Sequence, residues 1–196
     1  MNNIDKNGSA RVGALRWLPI TMVAITSISL GAISSPVAAQ NARQYALTGK
    51  VVQVSDGDTI NLLVEKTQHR IRLASIDAPE TSHGSDRPGQ PFGEASRKNL
   101  AGYVAGKTLT LICYEKDHYG RDVCDVPANG TTANRLQVQD GMAWANQQAK
   151  GKFLRDKALI GVQSDAQRNK LGLWAEPGAV APWEWRVVCW QNKKCK

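Results

Sequence analysis

Histidine is scarce in this sequence. There are three in 196 residues (His69, His83 and His118), and no two stand at a metal-binding spacing. The four cysteines, Cys113, Cys124, Cys189 and Cys195, include no Cys-x-x-Cys pair, which argues against a structural zinc site. No segment repeats, which excludes solenoids and propellers. No stretch is of low complexity. Beyond residue 39 no apolar run is long enough to cross a bilayer.

What is present begins with an export signal. Residues 1–39 carry Lys6, Arg11 and Arg16, then the uncharged apolar run "LPITMVAITSISLGAI" (18–33), then "SPVAAQ" with Val37 and Ala39 where a signal peptidase reads. Cleavage after Ala39 is expected, giving a secreted or periplasmic protein that no longer holds a membrane. The full chain has net charge +8; the signal contributes three basic residues and Asp5, which leaves the mature chain at +6. That excess favours a polyanion such as nucleic acid. An even cysteine count behind a signal reads as two disulfides with three possible connectivities. The local pairs Cys113–Cys124 and Cys189–Cys195 are expected, because "LTLICYEKDHYGRDVCDV" reads as two strands about a tight turn.

The mature chain fits one domain at 40–176 followed by a Trp- and Cys-containing tail at 177–196. Residues 40–48 read as a lead-in. Period-two alternation predicts strands at 49–55, 58–65 and 69–76. Residues 77–93, rich in Pro, Gly and Ser, form a long loop, a kind of segment that is often functional. A helix follows to about Val104, then a hairpin over 107–127. Thr132 caps a helix at 133–140 closed by Gly141, and a longer helix spans 153–170. Five short strands with an inserted helix predict an α+β, mainly β fold: a five-stranded Greek-key barrel of the oligonucleotide/oligosaccharide-binding (OB) type with three helices.

Four groups carry chemistry: "DGDT" (56–59), "RLASIDAPE" (72–80), "HYGR" (118–121) and "GMAWA" (141–145). Each has a plainer reading. Asp56-Gly57 between apolar strands is a hairpin signal, since both residues tolerate positive φ. Asp77 could end a strand before Pro79, Glu80 could be a loop acid, Arg72 a solvated strand residue and Arg121 a turn residue. Strict alternation also puts Arg72 and Asp77 on opposite faces, so a shared site needs a bulge or a strand end between them.

In this order and spacing the four groups resemble the thermonuclease (staphylococcal nuclease-like) family, over about 49–174. The cysteine pair on the hairpin and the "PWEWR" tail resemble its secreted bacterial members. The resemblance implies calcium-dependent endonuclease cleavage of DNA and RNA on the 5′ side of the phosphate, leaving 3′-phosphate ends. It implies Asp58 and Asp77 as Ca2+ ligands, with the backbone carbonyl of Ala78. By the same resemblance Glu80 is expected beside the metal and its attacking water, and Arg72 and Arg121 on the scissile phosphate. Asp56 matches a nearby acid that is not usually a direct ligand. Hard oxygen donors suit Ca2+, and two guanidiniums with a divalent ion suit the charge of a phosphodiester undergoing attack. The expected partner is single-stranded or denatured nucleic acid, and the protein is expected to be a monomer. One departure stands out: "NQQAKG" (146–151) has no aromatic where the staphylococcal enzyme has tyrosines that line its nucleotide site. The alternatives are a non-catalytic OB barrel that binds single strands and an extracytoplasmic interaction module. Trp183, Trp185 and Trp190 are expected to pack the tail onto the domain.

Overall fold

The computed structural model describes residues 44–195. The expected signal lies outside the described residues. Among the described residues no helix is long and apolar enough to cross a membrane.

Strand β1 (Tyr45–Asp56) is twelve residues long and serves two neighbours. Its first half pairs antiparallel with β5 (Thr108–Lys116), from Tyr45 opposite Cys113 to Lys50 opposite Thr108. Its second half pairs with β2 (Thr59–Val64), with register shifts at Val51/Gln53 and Val54/Asp56. Such irregularities bend a strand, which lets β1 wrap around the core. β2 pairs with β3 (Thr67–Leu73), and β3 runs parallel to β6 (Asp122–Asp125), which pairs back to β5. The order β1-β2-β3-β6-β5 closes a five-stranded barrel, the expected OB-type architecture. Alternate residues Ile60, Leu62, Ile71, Leu73, Leu111 and Cys113 point inward and are fully or almost fully buried. Helix α1 (Gly93–Val104) presents Leu100 and Val104 to this core. Short ladders β7 (Pro127–Ala128) and β8 (Thr131–Thr132) lead into α2 (Ala133–Gln139), where the Thr132 hydroxyl accepts from the Arg135 N–H at 3.2 Å, the expected cap.

Three sequence expectations need correction. The lead-in at 40–48 is strand from Tyr45 onward, because Tyr45 and Leu47 turn toward the core while Ala46 and Thr48 face out. The strand expected at 69–76 ends at Leu73. Ser75 adopts φ 66°, and Ile76–Asp77 form a separate strand β4 that pairs with β9 (Trp144–Ala145). The helix expected at 153–170 is confined to α4 (Leu159–Arg168), after a single distorted turn α3 (Gln148–Gly151). The backbone N–H groups of Arg155 and Asp156 donate to Ser75 Oγ at 2.9 and 3.0 Å, and that of Ala158 to Asp156 Oδ1 at 2.9 Å. Side chains satisfy these donors, and the regular helix begins only at Leu159.

The C-terminal residues fold onto the domain. A short helix α5 (Pro182–Trp185) continues into a π-helical stretch at Arg186–Gln191. Trp183 packs with Trp144, Trp174 and Leu173, and Trp185 is buried, so these two tryptophans pack the tail as expected. Both expected disulfides are present, Cys113–Cys124 across β5 and β6 and Cys189–Cys195 in the tail. The first closes a loop with a sequence separation of 11. Replacing both Cys113 and Cys124 by alanine should lower unfolding free energy by about 2–4 kcal/mol in denaturant titration. A loss below about 0.5 kcal/mol would show that the bridge adds nothing to the barrel.

Candidate metal and phosphate site

Asp56, Gly57 and Asp58 join β1 to β2. Gly57 does not adopt a positive φ, contrary to the hairpin expectation. It is required for a different reason: a Cβ there would lie 1.8 Å from Ser96 Oγ and 2.7 Å from the Ala78 Cβ. The turn is pressed against α1 and the β4 exit, and the Gln137 Nε2 of α2 donates to its Gly57 carbonyl at 2.6 Å. This fixes Asp58. Its Oδ2 accepts the Ala78 N–H at 2.7 Å and its Oδ1 the Thr59 hydroxyl at 3.0 Å.

Arg72 sits on β3 opposite Thr59. Its guanidinium bridges two acids: Nη1 pairs with Asp58 Oδ2, and Nη2 donates to Asp77 Oδ1 at 2.9 Å. The end of β3 and the left-handed Ser75 break the alternation that separated Arg72 from Asp77 in sequence. Asp77 is almost wholly buried, at 1%. Glu80 begins the loop beyond, anchored by the Gln90 N–H donating to its carbonyl at 2.8 Å. Gly93, at the start of α1, lies against the same carbonyl, where a Cβ would come within 2.2 Å.

The structure thus brings together Asp58, Arg72, Asp77 and Glu80. Ala78 joins them through its backbone, with its N–H turned to Asp58. Arg121 stands apart. Its Nε and Nη2 each lie 2.7 Å from Asp117 Oδ2, and its guanidinium covers the Tyr119 ring at 5.3 Å. A residue that sequence reasoning missed completes the cluster: Arg186, from the tail. Its Nη2 lies 2.7 Å from Asp77 Oδ2, and its Nη1 is 2.5 Å from Glu80 Oε1. The only sequence signal was its position beside the aromatic anchors of "PWEWR".

Four acids (Asp56, Asp58, Asp77 and Glu80) therefore face two arginines in a largely buried setting. Burial is the main force that pushes the Asp58 carboxyl up to about 6. Arg72 opposes the shift and Asp56 adds to it. Burial also raises Glu80, with Asp58 adding to it. Arg72 and Arg186 are held more firmly protonated than usual, because the acids outweigh the burial that works against their charge. Among the described residues no three of His, Cys, Asp or Glu form a ligand group by themselves. A cation here would rest on two aspartates, a backbone carbonyl and water. Hard oxygen donors and unbalanced buried negative charge fit a cation such as Ca2+.

The model of the family described as "Staphylococcal nuclease homologue" matches residues 70–176. The chain belongs to that family. Among relatives, it is 38% identical over 139 residues to an "Uncharacterized endonuclease" of Escherichia coli O157:H7, covering 70% of this chain and 84% of that protein. It is 39% identical over 147 residues to a "Micrococcal nuclease" of Shigella flexneri, covering 70% and 79%. It is 34% identical over 172 residues to "Protein ParB" of Escherichia coli, covering 83% and 89%. Within this staphylococcal nuclease homologue the family match contains Arg72, Asp77, Ala78, Glu80 and Arg121, while Asp58 precedes it and Arg186 follows it.

The raised Asp58 carboxyl gives a test. The native state binds a proton that the unfolded chain releases between about pH 4 and 6, so this group contributes less stability as pH rises through that window. In chelator, wild type should lose on the order of 2–3 kcal/mol relative to Asp58→Asn between those limits, read from paired denaturant titrations. A difference that does not change with pH would show that Asp58 ionises at its ordinary value.

Proposed function

We propose that this protein is an exported, calcium-dependent nuclease that hydrolyses phosphodiester bonds of DNA and RNA and leaves 3′-phosphate ends. The observation that carries the reading is the convergence of Asp58 and Asp77 on Arg72, with Glu80 joined to Asp77 through Arg186. A module that only binds single strands gains nothing from such a concentration of buried carboxylates. The relatives' names, an endonuclease and a nuclease, support the nuclease part of this reading.

Asp58 and Asp77, with the Ala78 carbonyl, would hold Ca2+. When bound, the ion supplies positive charge to a phosphate oxygen. Arg72, held in place by its two aspartates, offers a rigid fork to the non-bridging oxygens. Glu80, whose carboxyl pKa is raised by burial, orients a water and takes its proton as oxygen attacks phosphorus. The P–O5′ bond breaks and the 5′ oxygen leaves after taking a proton from solvent. Arg121 is carried on the turn between β5 and β6, and it contributes by exchanging Asp117 for the phosphate. The net charge and the absence of an aromatic in "NQQAKG" favour recognition of the backbone over the bases. The proposed substrate is denatured nucleic acid, cleaved by a monomer. The two disulfides suit an oxidising compartment, in keeping with export after signal cleavage.

Purified mature protein should cleave denatured DNA with Ca2+ and not with chelator, and end-group analysis should find 3′-phosphates. Asp77→Asn should abolish calorimetric Ca2+ uptake and reduce cleavage by on the order of 10²-fold or more while the fold survives. Unchanged Ca2+ affinity in that variant would remove Asp77 from the metal site. Arg121→Lys keeps the charge and loses the fork. At saturating Ca2+ and DNA it should reduce the single-turnover rate by on the order of 10²-fold with little change in affinity. A rate within a few-fold of wild type would make Arg121 a binding residue only.

A further inference from the structure

The tail is anchored without help from Arg186. The indole N–H groups of Trp185 and Trp190 both donate to the Pro88 carbonyl, at 3.4 and 2.9 Å. Lys193 Nζ donates to the Asp86 carbonyl at 3.1 Å, Arg87 lies over the Trp190 ring, and Cys189–Cys195 closes the end of the segment. Apart from the disulfide, which is internal to the tail, all of these contacts fall on the loop that follows Glu80. The tail therefore keeps its place whether or not the Arg186 side chain stays where it is.

That side chain occupies carboxylate oxygens a metal would use. Asp77 Oδ1 accepts from Arg72 at 2.9 Å and from Arg186 Nη1 at 3.2 Å, and Asp77 Oδ2 accepts from Arg186 Nη2 at 2.7 Å. With Glu80 Oε1 also bound to Arg186, the open oxygen surface beside Asp77 is filled by a guanidinium. Arg72 is 13% exposed and locked between Asp58 and Asp77, whereas Arg186 is 28% exposed and enters from the solvent side. It is the cation able to leave.

We propose that Arg186 is a built-in counter-cation of the carboxylate site, exchanged for the divalent cation when metal loads. This rests on the reading of Asp58 and Asp77 as metal ligands. Without metal, Arg186 relieves the repulsion between Asp77 and Glu80 and keeps both carboxylates in position. When Ca2+ enters, two cations cannot share the same oxygens at short range, so the guanidinium swings off toward solvent while the tail stays docked. The exchange lowers apparent metal affinity, so that the site loads only where free Ca2+ is abundant. The family match ends at residue 176, so this device is contributed by chain outside the matched span.

Calorimetric titration of CaCl2 into metal-free wild type, Arg186→Gln, Arg186→Lys and Asp77→Asn tests this without any measurement of cleavage. Arg186→Gln should bind Ca2+ about tenfold tighter than wild type or more, with Asp77→Asn as the non-binding control. Arg186→Lys should fall between, because an ammonium keeps the charge and loses the fork. In chelator the Gln variant should melt below wild type, and saturating Ca2+ should close that gap. Binding seen only in the variants supports the exchange in its strongest form. If wild type binds Ca2+ and Arg186→Gln binds equally or more weakly, the exchange is overturned and the metal reading stands. If Arg186→Gln does not fold, the lysine variant decides by the same criterion. If wild type and both Arg186 variants take up no Ca2+, the metal reading falls and the exchange with it.

Discussion

One guanidinium organises this site. Arg72 on β3 pairs at once with Asp58, in the turn between β1 and β2, and with Asp77 on β4. These three positions belong to different elements, and β4 is not part of the barrel sheet. Without the bridge, two buried carboxylates would face each other and Asp56 with no cation between them, an arrangement that costs several kcal/mol per unpaired ion. The rest of the local architecture serves the bridge. Gly57 lets the turn press against Ser96, Gln137 holds the Gly57 carbonyl, and Ser75 turns the chain so that Asp77 faces back toward β3. Acids still outnumber arginines, and on the proposed reading that imbalance is what a divalent ion would offset.

The barrel was legible because its signals are local. Alternating apolar residues at Ile60 and Leu62, and at Ile71 and Leu73, set the inner face of two paired strands, and the cysteines opposite each other at 113 and 124 marked the hairpin. Expectations failed where a distant partner decided the outcome. Residues 153–158 read as helix, yet Ser75, some 80 positions earlier, takes the N–H groups of Arg155 and Asp156. Gly57 read as a conformational need, and the structure shows a steric one that depends on α1. The acids and Arg72 were legible through their ordered spacing. Arg186 was not, because it meets its partner across 109 residues and nothing in "PWEWR" points to a particular carboxylate.

The tail changes how the site is to be understood. The barrel supplies the acids and Arg72, and the appended segment supplies a second arginine held by two tryptophans on the Pro88 carbonyl. Tail and site therefore share one loop, residues 78–92, whose N-terminal end carries Glu80. Order in that loop comes from both directions: from Gln90 bonding back to Glu80, and from the disulfide-closed tail packed upon it. Arg121, by contrast, is held by its own turn through Asp117 and waits outside the cluster. The cluster thus has one arginine fixed by the barrel and one brought by the tail, while a third lies outside it on a hairpin.

The central claim is that the carboxylates around Arg72 form a divalent-cation site. Diffraction from crystals grown with Ca2+, with the anomalous signal used to place the ion, tests it most directly. The account predicts a single strong peak in contact with carboxylate oxygens of Asp58 and Asp77, with Arg72 still on its aspartates and the Arg186 guanidinium withdrawn. A peak elsewhere on the molecule, with Arg72 and Arg186 both still seated on Asp77, would contradict it.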